Sequence, residues 1–455
     1  MTEVEKLASF TVNASYDKIS EAAREQLKIR LLDSLACAVG AVNGEIAAHI
    51  RNYLGETCTG RHCTLIGGGT ADTDRAAFYN SALIRYLDFN DSYLGKGETC
   101  HPSDNIGAVL ACSEYAGRNG KDFLTALAVA YQVQCRLSDV APVRAKGFDH
   151  TVQGSYAAAA GISKALNLDT AKTANAIAIS GTAFNALRVT RTGLLSHWKG
   201  LAYPNTAYCC VHAAFLARHG ITGPLEVFEG NKGFKDTISG QFEIDWSKED
   251  LERVTKTIIK KYNAEIHSQV SIENILEMKK EHRFTADDIE KIRIEIFDVA
   301  YNIIGGGEEG DKTIVSIKEQ ADHSLQYIVA AAILDGTVMP AQYDNDRILR
   351  SDIQDLLRKV EVIPSEQYSR YFPDEMPSKI TVILTDSREV TGEKRDYEGF
   401  HTRPMRWETV IDKFNYLSES FIDSSLREEI IDSVDNIEKI EIADLMQLLS
   451  KVKIT

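Results

Sequence analysis

The sequence predicts a mainly α-helical protein with two domains: a large all-helical domain formed by both ends of the chain and a smaller, inserted α+β domain. Three observations indicate this architecture. Apolar residues recur at helical spacing in the first part of the chain, apolar and charged residues alternate from Lys291, and helical spacing returns after Pro404. We therefore expect the all-helical domain over residues 1–267 and 401–455, and the α+β domain over residues 268–400.

The N-terminal helices are predicted from the spacing of their apolar residues. Residues 15–42 carry Ile, Leu and Ala at intervals of three and four, with Lys and Glu between them, which is typical of a long amphipathic helix. Residues 121–140 follow the same pattern. Residues 155–166 and 170–187 are rich in Ala, Ile and Gly, and small side chains let helix backbones approach closely. We expect these last two helices at the centre of the helical domain.

The inserted domain is predicted from a change of period. Residues 291–297 read Lys-Ile-Arg-Ile-Glu-Ile-Phe, the alternation of a strand with one buried face. Further strand signals lie at 360–363, 379–384 and 388–391, with helices predicted at 324–334 and 348–360. After Pro404, helices are predicted at 407–417, 426–434 and 443–452.

The composition narrows the class of protein. With 44% hydrophobic content over 455 residues, the chain can bury a large core. Its formal net charge of -15 argues against a nucleic-acid or anionic-membrane surface, because both attract clustered Lys and Arg. The first residues lack the basic and apolar regions of a secretory signal, and residues 200–217 read as a buried helix rather than a membrane span. We expect a cytoplasmic protein with no nucleic-acid partner and no membrane partner.

The cysteines give little support to a metal site. None of the eight forms a CxxC pair, as a zinc or iron–sulfur site would favour, so buried free thiols are the simpler interpretation. Cys100 beside His101 could form a Cys/His nucleophile pair, but adjacent side chains rarely point at one another.

The stretch from residue 86 to residue 105 is the strongest candidate for chemistry. Gly95, Gly97 and Pro102 make it a loop rather than a helix interior, and apolar, Ala-rich sequence flanks it on both sides. Its acid/base candidates are Asp88, Asp91, Glu98, His101 and Asp104.

Four further motifs could join this loop. His150 lies near a helix start, where the helix dipole lowers a histidine pKa. The others contribute Arg188, Arg191 and Lys199, then Lys261 and His267, and finally His323 and Tyr327. Each has a structural alternative, since a lone histidine at a helix start is often a cap or core residue and basic residues before a helix are usually solvated. The candidates nevertheless interrupt apolar sequence at Gly- or Pro-marked breaks, where a buried unpaired charge is costly.

These motifs resemble one known family. Leu87-Asp-Phe-Asn-Asp-Ser-Tyr followed by His101-Pro-Ser-Asp-Asn looks like the signature of the MmgE/PrpD family, which includes 2-methylcitrate dehydratase, cis-aconitate decarboxylase and iminodisuccinate epimerase. Further blocks of that family are similar to Gly147-Phe-Asp-His150, Trp198-Lys199-Gly, Glu265-Ile-His267-Ser-Gln and His323-Ser-Leu-Gln-Tyr327, in the same order.

The resemblance implies a set of properties for the protein. The α+β domain would be a lid on the helical domain, two copies would form a homodimer, and no metal, flavin or nicotinamide cofactor would be needed. The resemblance also implies a place in propionate metabolism. The family's active-site residues fall on Asp91, His101, His150, Lys199 and His267, with Thr99 as a substrate contact.

The resulting functional hypothesis is a cofactor-independent hydro-lyase that dehydrates 2-methylcitrate, citrate or both. His101 and His150 would supply the base and the acid, and Asp91 would orient one imidazole. Lys199, helped by Arg188 or Lys261, would clamp carboxylates, and His323 and Tyr327 would add substrate contacts from the lid. The alternatives are a cis-aconitate decarboxylase, an epimerase that uses the same pocket, and a non-enzymatic helical scaffold.

Overall fold

Helices form most of the protein, which confirms the predicted mainly α class. The computed structural model describes residues 1–95, 97–192 and 196–454. The chain divides into two compact units, which we call the helical unit (Met1–Ile259 with Arg406–Thr455) and the sheet unit (Lys260–Met405).

The α-helices of the described residues are, in chain order, α1 (Glu3–Asn13), α2 (Glu21–Gly40), α3 (Glu45–Thr57), α4 (Thr73–Tyr86), α5 (Ile106–Tyr115), α6 (Gly120–Val140), α7 (Thr151–Ala165), α8 (Thr170–Ala183), α9 (Trp198–Arg218), α10 (Gln269–His282), α11 (Asp298–Ala300), α12 (Lys318–Ala321), α13 (Leu325–Asp335), α14 (Asn345–Ile348), α15 (Ser351–Leu357), α16 (Glu366–Ser369), α17 (Trp407–Ser418), α18 (Ser424–Asp435) and α19 (Ile442–Leu449). The strands of the same residues are β1 (Cys63–Thr64), β2 (Thr70–Ala71), β3 (Tyr93–Gly95), β4 (Glu98–Cys100), β5 (Ile289–Ile296), β6 (Val360–Pro364), β7 (Ser378–Leu384) and β8 (Glu389–Lys394).

The Ala-rich helix α7 is buried along almost its whole length. Its glycines explain how closely its neighbours approach. A Cβ built on Gly154 would lie 2.4 Å from the ring of Tyr203 on α9, and one on Gly161 would lie 2.9 Å from Ala130 Cβ on α6. Larger residues at these two positions would push the helices apart.

Helix α8 ends at Ala183, four residues earlier than predicted. The amide of Asn185 donates from Nδ2 to the carbonyl of Gly181 at 3.2 Å, and Leu187 then pairs with Phe148 in an isolated antiparallel bridge. Residues 186–188 therefore bond to the segment that precedes α7 instead of continuing a helix.

The stretch predicted as a loop contains a short antiparallel hairpin. Strands β3 and β4 pair with Leu94 opposite Thr99, and a 3-10 turn over Pro102–Asn105 leads into α5. Gly97 in the turn has a φ of 82°, a conformation that glycine adopts without steric cost. Of the candidate residues, Glu98 and Thr99 lie on β4 of this hairpin, and His101 follows it directly.

The sheet unit contains a four-stranded sheet in the order β6-β5-β7-β8. Strand β5 runs parallel to β6 and antiparallel to β7, and β8 continues antiparallel to β7. The isoleucines of β5 alternate inward, as the sequence predicted, and α10 packs against β7 and β8. The helix predicted at 348–360 is shorter than expected. It corresponds to α15, which ends at Leu357, and β6 begins at Val360.

No single helix among the described residues is both long and apolar enough to cross a membrane. Helices α2 and α3 meet that criterion only when taken together, and they are bent by 83° relative to one another.

Candidate active site

Two segments of the helical unit pair with each other beside His150. The N–H of Asp149 donates to the carbonyl of Ala186, and the N–H of Arg188 donates to the carbonyl of Gly147, both at 2.9 Å. Gly147, with a φ of 88°, provides the turn that brings these backbones side by side. This pairing brings the residues that precede α7 against residues 186–188.

His101 and His150 form the centre of the site, and we call them the histidine pair. Their ring centroids are 5.4 Å apart and their planes are nearly perpendicular, at 85°. His101 Nδ1 lies 2.8 Å from the carbonyl oxygen of Asp91 and 3.1 Å from Ser92 Oγ. Because a carbonyl oxygen only accepts hydrogen bonds, Nδ1 of His101 carries a proton.

His150 is the N-cap residue of α7, as the sequence indicated, and it is buried. Its Nδ1 lies 3.0 Å from Asp149 Oδ1, and Arg191 Nε donates to Asp149 Oδ2 at 2.6 Å. Burial would raise the pKa of Asp149, but the neighbouring His150 and Arg191 hold it well below its usual value. Asp149 is therefore an anion that accepts the Nδ1 proton of His150.

The protonation of His150 follows from its surroundings. Burial, with smaller contributions from Arg191, Arg85 and Arg188, lowers the pKa of His150 to about 3 despite the opposing effect of Asp149. The imidazole is thus neutral near pH 7, with its proton on Nδ1 and its lone pair on Nε2.

Asp91 reaches His101 through its backbone carbonyl, whereas an orienting carboxylate had been expected. The carboxylate of Asp91 accepts the N–H of Ser103 at 3.0 Å and the hydroxyl proton of Tyr131 at 2.8 Å. The side chain is completely buried, and burial raises its pKa. Asp91 therefore holds the His101 ring through its carbonyl and the backbone of Ser103, two residues after His101, through its carboxylate.

Lys199 lies at the start of α9, half-buried, with Nζ 3.7 Å from Asp88 Oδ2. Asp88 in turn pairs with the buried guanidinium of Arg85, whose Nε is 3.9 Å from Asp104 Oδ2. Burial raises the pKa of Asp104 to about 7 despite the opposing charge of Arg85. Arg85 is not among the residues predicted from the sequence, although it stands as a lone arginine within the apolar stretch before the loop.

Thr99 and Arg188 lie near the buried carboxylate of Glu98. Thr99 is half-buried on β4, next to Glu98. Glu98 Oε2 accepts the N–H of Val143 at 2.9 Å and the N–H of Arg144 at 3.0 Å, so the hairpin is tied to the turn before α7. Arg188 is half-buried, and burial followed by Arg144 lowers its pKa.

The sheet unit holds a second cluster of histidines and acids. His267 Nδ1 lies 2.7 Å from Glu265 Oε1, and its ring packs against Phe297 and Phe372. Within residues 1–95, 97–192 and 196–454, the buried Nε2 of His267 has no hydrogen-bond partner. Burial would raise the pKa of Glu265, but His267, His323 and Lys260 lower it to about 2.

His323 belongs to the same cluster, whereas Lys261 and Tyr327 bond elsewhere. His323 Nδ1 lies 2.6 Å from Asp322 Oδ1, and the N–H of Glu265 donates to the carbonyl of Asp322 at 3.1 Å. Lys261 Nζ pairs with Glu398 at 2.9 Å and with Glu273 at 3.4 Å. Tyr327 is completely buried and donates its hydroxyl proton to the carbonyl of Gln342.

Two other features complete the description. Nowhere in the described ranges do three or more His, Cys, Asp or Glu side chains converge as they would around a metal ion.

An apolar cavity of about 340 Å³ lies in the helical unit, with Ile50, Tyr53, Phe78, Trp198 and Tyr208 among its lining residues. The histidine pair is not part of that lining.

Comparison with known proteins identifies both parts of the chain. Residues 5–247 match the MmgE/PrpD N-terminal domain, and residues 262–439 match the MmgE/PrpD C-terminal domain. The resemblance stated from the motifs is therefore confirmed.

Named relatives cover most of the chain. It is 26% identical to 2-methylcitrate dehydratase of Escherichia coli K12, over 90% of this chain and 89% of that protein. It is 28% identical to the mitochondrial 2-methylcitrate dehydratase of Yarrowia lipolytica, over 81% of this chain and 74% of that protein. It is 25% identical to cis-aconitate decarboxylase of Mus musculus, over 83% of this chain and 78% of that protein.

Proposed function

The chain belongs to the MmgE/PrpD family and is a lyase of the 2-methylcitrate dehydratase type, and from this premise we propose that it removes water from 2-methylcitrate, citrate or both. The observation that carries the proposal is the histidine pair, two imidazoles 5.4 Å apart whose Nδ1 atoms are both engaged by acceptors. We propose that the Nε2 atoms of the pair make the two proton transfers of a dehydration; Nε2 of His150 also lies 3.5 Å from an Nη atom of Arg191.

The reaction needs a base, an acid and cations. The base takes a proton from the carbon next to a carboxylate, the acid protonates the departing hydroxyl, and cations stabilise the developing charge. We assign the base to Nε2 of His150, because its neutral form is favoured by burial and by the surrounding arginines. We assign the acid to His101 in its doubly protonated form: Nε2 donates its proton to the departing hydroxyl as the carbon–oxygen bond breaks, while Nδ1 keeps the proton bound to the carbonyl of Asp91. Water then leaves and a carbon–carbon double bond forms.

The carboxylates of the substrate need positive partners. Lys199 and Arg188, both half-buried in the helical unit, are the proposed partners, and Thr99 is a proposed substrate contact. His267 and His323 of the sheet unit are proposed to act on the substrate as well. For His267, the support is the buried Nε2 with no hydrogen-bond partner in the described part of the chain.

The proposed reaction uses no metal and no organic cofactor, and two copies of the chain are proposed to form a homodimer. Light scattering tests the second point, since a mass of 50.4 kDa in solution would belong to a single chain and contradict it.

A single assay tests the proposed function. Purified protein is incubated with 2-methylcitrate, citrate and cis-aconitate in turn, before and after exhaustive chelation, and the products are followed by proton NMR. We expect a vinylic proton signal from citrate, or replacement of the methyl doublet of 2-methylcitrate by the singlet of a methyl group on the new double bond, formed at the same rate in both preparations. Loss of activity on chelation, restored by one metal ion, would contradict the cofactor-independent mechanism.

The same assay separates the alternatives. The relative from Mus musculus is named cis-aconitate decarboxylase, so that activity is the second candidate, and release of carbon dioxide from cis-aconitate would identify it. An epimerase would incorporate deuterium from solvent without net loss of water. A non-enzymatic scaffold would not be stabilised thermally by any of the three acids.

A further inference from the structure

Arg144, Arg188 and Arg191 lie in the two paired segments beside His150, and of these three only Arg191 has a carboxylate partner among the described residues. Arg191 is paired with Asp149 at 2.6 Å. The guanidinium groups of Arg144 and Arg188 make no hydrogen bond and no ion pair with any residue in the ranges 1–95, 97–192 and 196–454. Both side chains are half-buried, so neither is simply extended into solvent.

The backbone holds Arg144 and Arg188 in neighbouring positions. Arg144 begins the 3-10 turn Arg144–Lys146 that ends at Gly147, and its own N–H is bound by Glu98 Oε2 at 3.0 Å. Arg188 donates its N–H to Gly147 at 2.9 Å, one residue beyond that turn. Both attachments are main-chain hydrogen bonds, which leave the two guanidinium groups available to a ligand.

The nearby carboxylates of Asp149 and Glu98 offset only part of the effect that lowers the pKa of Arg188, and both are bound by other donors. Glu98 Oε2 accepts the N–H groups of Val143 and Arg144 and lies 3.4 Å from the amide nitrogen of Gln153. Asp149 is shared by Arg191 and His150. Two like charges that are partly removed from water repel one another. Burial is the largest cause of the lowered pKa of Arg188, and the positive charge of Arg144 is the next. An anion bound between them would remove that cost.

We propose that Arg144 and Arg188 together bind one carboxylate of the substrate, and that Arg144 makes the site selective for tricarboxylates over dicarboxylates. The inference rests on the proposed function, because it takes the reacting acid to be a citrate-like tricarboxylate. The carboxylate in question is one that lies away from the carbon deprotonated by His150. Planar guanidinium groups suit it, since each can donate two parallel hydrogen bonds to a carboxylate.

The test is a binding measurement that needs no turnover. Titration calorimetry gives the dissociation constants of propane-1,2,3-tricarboxylate and of glutarate, which has one carboxylate fewer. The variants are Arg144→Met and Arg188→Met, with Arg61→Met as a matched control at an exposed arginine outside the site. For Arg144→Met we expect propane-1,2,3-tricarboxylate to bind about 10- to 100-fold more weakly, as for loss of a charged hydrogen bond. The preference for the tricarboxylate over glutarate should shrink by the same factor.

Each outcome decides the inference. An unchanged preference in Arg144→Met overturns it while leaving the proposed function intact, provided the wild type still dehydrates its substrate. If the wild type neither binds nor dehydrates tricarboxylates, both proposals fail together. Arg144→Lys keeps the positive charge without the planar group and guards against misfolding of the methionine variant. Arg144→Lys should bind the tricarboxylate with an affinity between those of the wild type and Arg144→Met. If Arg144→Met and Arg144→Lys both keep the wild-type preference for the tricarboxylate over glutarate, the inference is overturned.

Discussion

At the scale of single residues, the two members of the histidine pair differ in what holds Nδ1. A backbone carbonyl holds His101 and an ionised carboxylate holds His150. Sequence motifs identified both histidines, but they did not identify Asp149 as the partner of His150 or Arg191 as the partner of Asp149. Those contacts form only because residues 147–149 pair with residues 186–188, a long-range pairing without a local signal.

The buried neutral His150 makes a prediction about stability. Its pKa is about 3 in the folded protein and near 6.5 in the unfolded chain, so below pH 6.5 only the unfolded chain takes up a proton there. Stability is therefore lost as the pH falls from 6.5 toward 3. We expect the free energy of unfolding, measured in urea, to fall as the pH is lowered from about 7.5 to about 5. The fall should be about 2 kcal/mol larger for the wild type than for His150→Gln.

The control for this prediction is His212→Gln, at an exposed histidine on α9, which should follow the wild-type pH dependence. If His150→Gln and the wild type lost the same free energy of unfolding over that interval, His150 would not be held neutral by its surroundings.

At the scale of elements, helix α17 from the C-terminal part of the chain anchors the segment that carries the site. Lys413 Nζ lies 2.6 Å from Asp33 Oδ1 on α2 and donates to the carbonyl of Phe89 at 2.8 Å. The ammonium also sits 3.6 Å from the centre of the Phe89 ring. Phe89 is two residues before Asp91, so this buried contact holds the start of the catalytic stretch against α2.

Removing this anchor should destabilise the protein. Lys413→Met leaves the buried carboxylate of Asp33 without its cation, and breaking a buried ion pair costs about 3–5 kcal/mol. Urea unfolding near neutral pH measures the loss, and the double variant Asp33→Asn/Lys413→Met should recover part of it.

Arg358→Met is the matched control, because Arg358 pairs with Asp355 on the surface and such pairs contribute about 1 kcal/mol at most. A Lys413→Met variant as stable as this control would show that α17 does not anchor the segment.

Local patterns predicted most helices and strands, and the exceptions have physical causes. Strand β5 was recognised from its alternating isoleucines, because one buried face is enough to impose that period. The end of α8 was misplaced because residues 184–187 remain compatible with a helix until their pairing with residues 147–149 is known. Tyr327 was selected as a site residue from its motif, yet its hydroxyl bonds to the backbone of Gln342 inside the core. A motif cannot reveal which face of α13 a side chain occupies.

At the scale of the whole molecule, the insertion of a sheet-containing unit into a helical chain follows from the order of the patterns. The compact units change at Ile259 and at Met405, a few residues from the domain boundaries predicted at 267 and 401. The difference arises from hydrogen bonds between segments. The N–H of Asn263 donates to Val338 and that of Glu265 to Asp322, so the segment that carries His267 belongs to the sheet unit.

The central claim is that the histidine pair carries the proton transfers of a dehydration. The most direct test is the turnover number of His101→Asn and His150→Asn on the substrate that the wild type dehydrates, with His212→Asn as the exposed control. Asparagine keeps a donor near the position of Nδ1 and removes Nε2, so the change isolates the proposed acid and base. We expect each of the two variants to lose about 10²- to 10⁴-fold in turnover with an unchanged melting temperature, while His212→Asn stays at the wild-type rate. Wild-type turnover in both His101→Asn and His150→Asn would contradict the account.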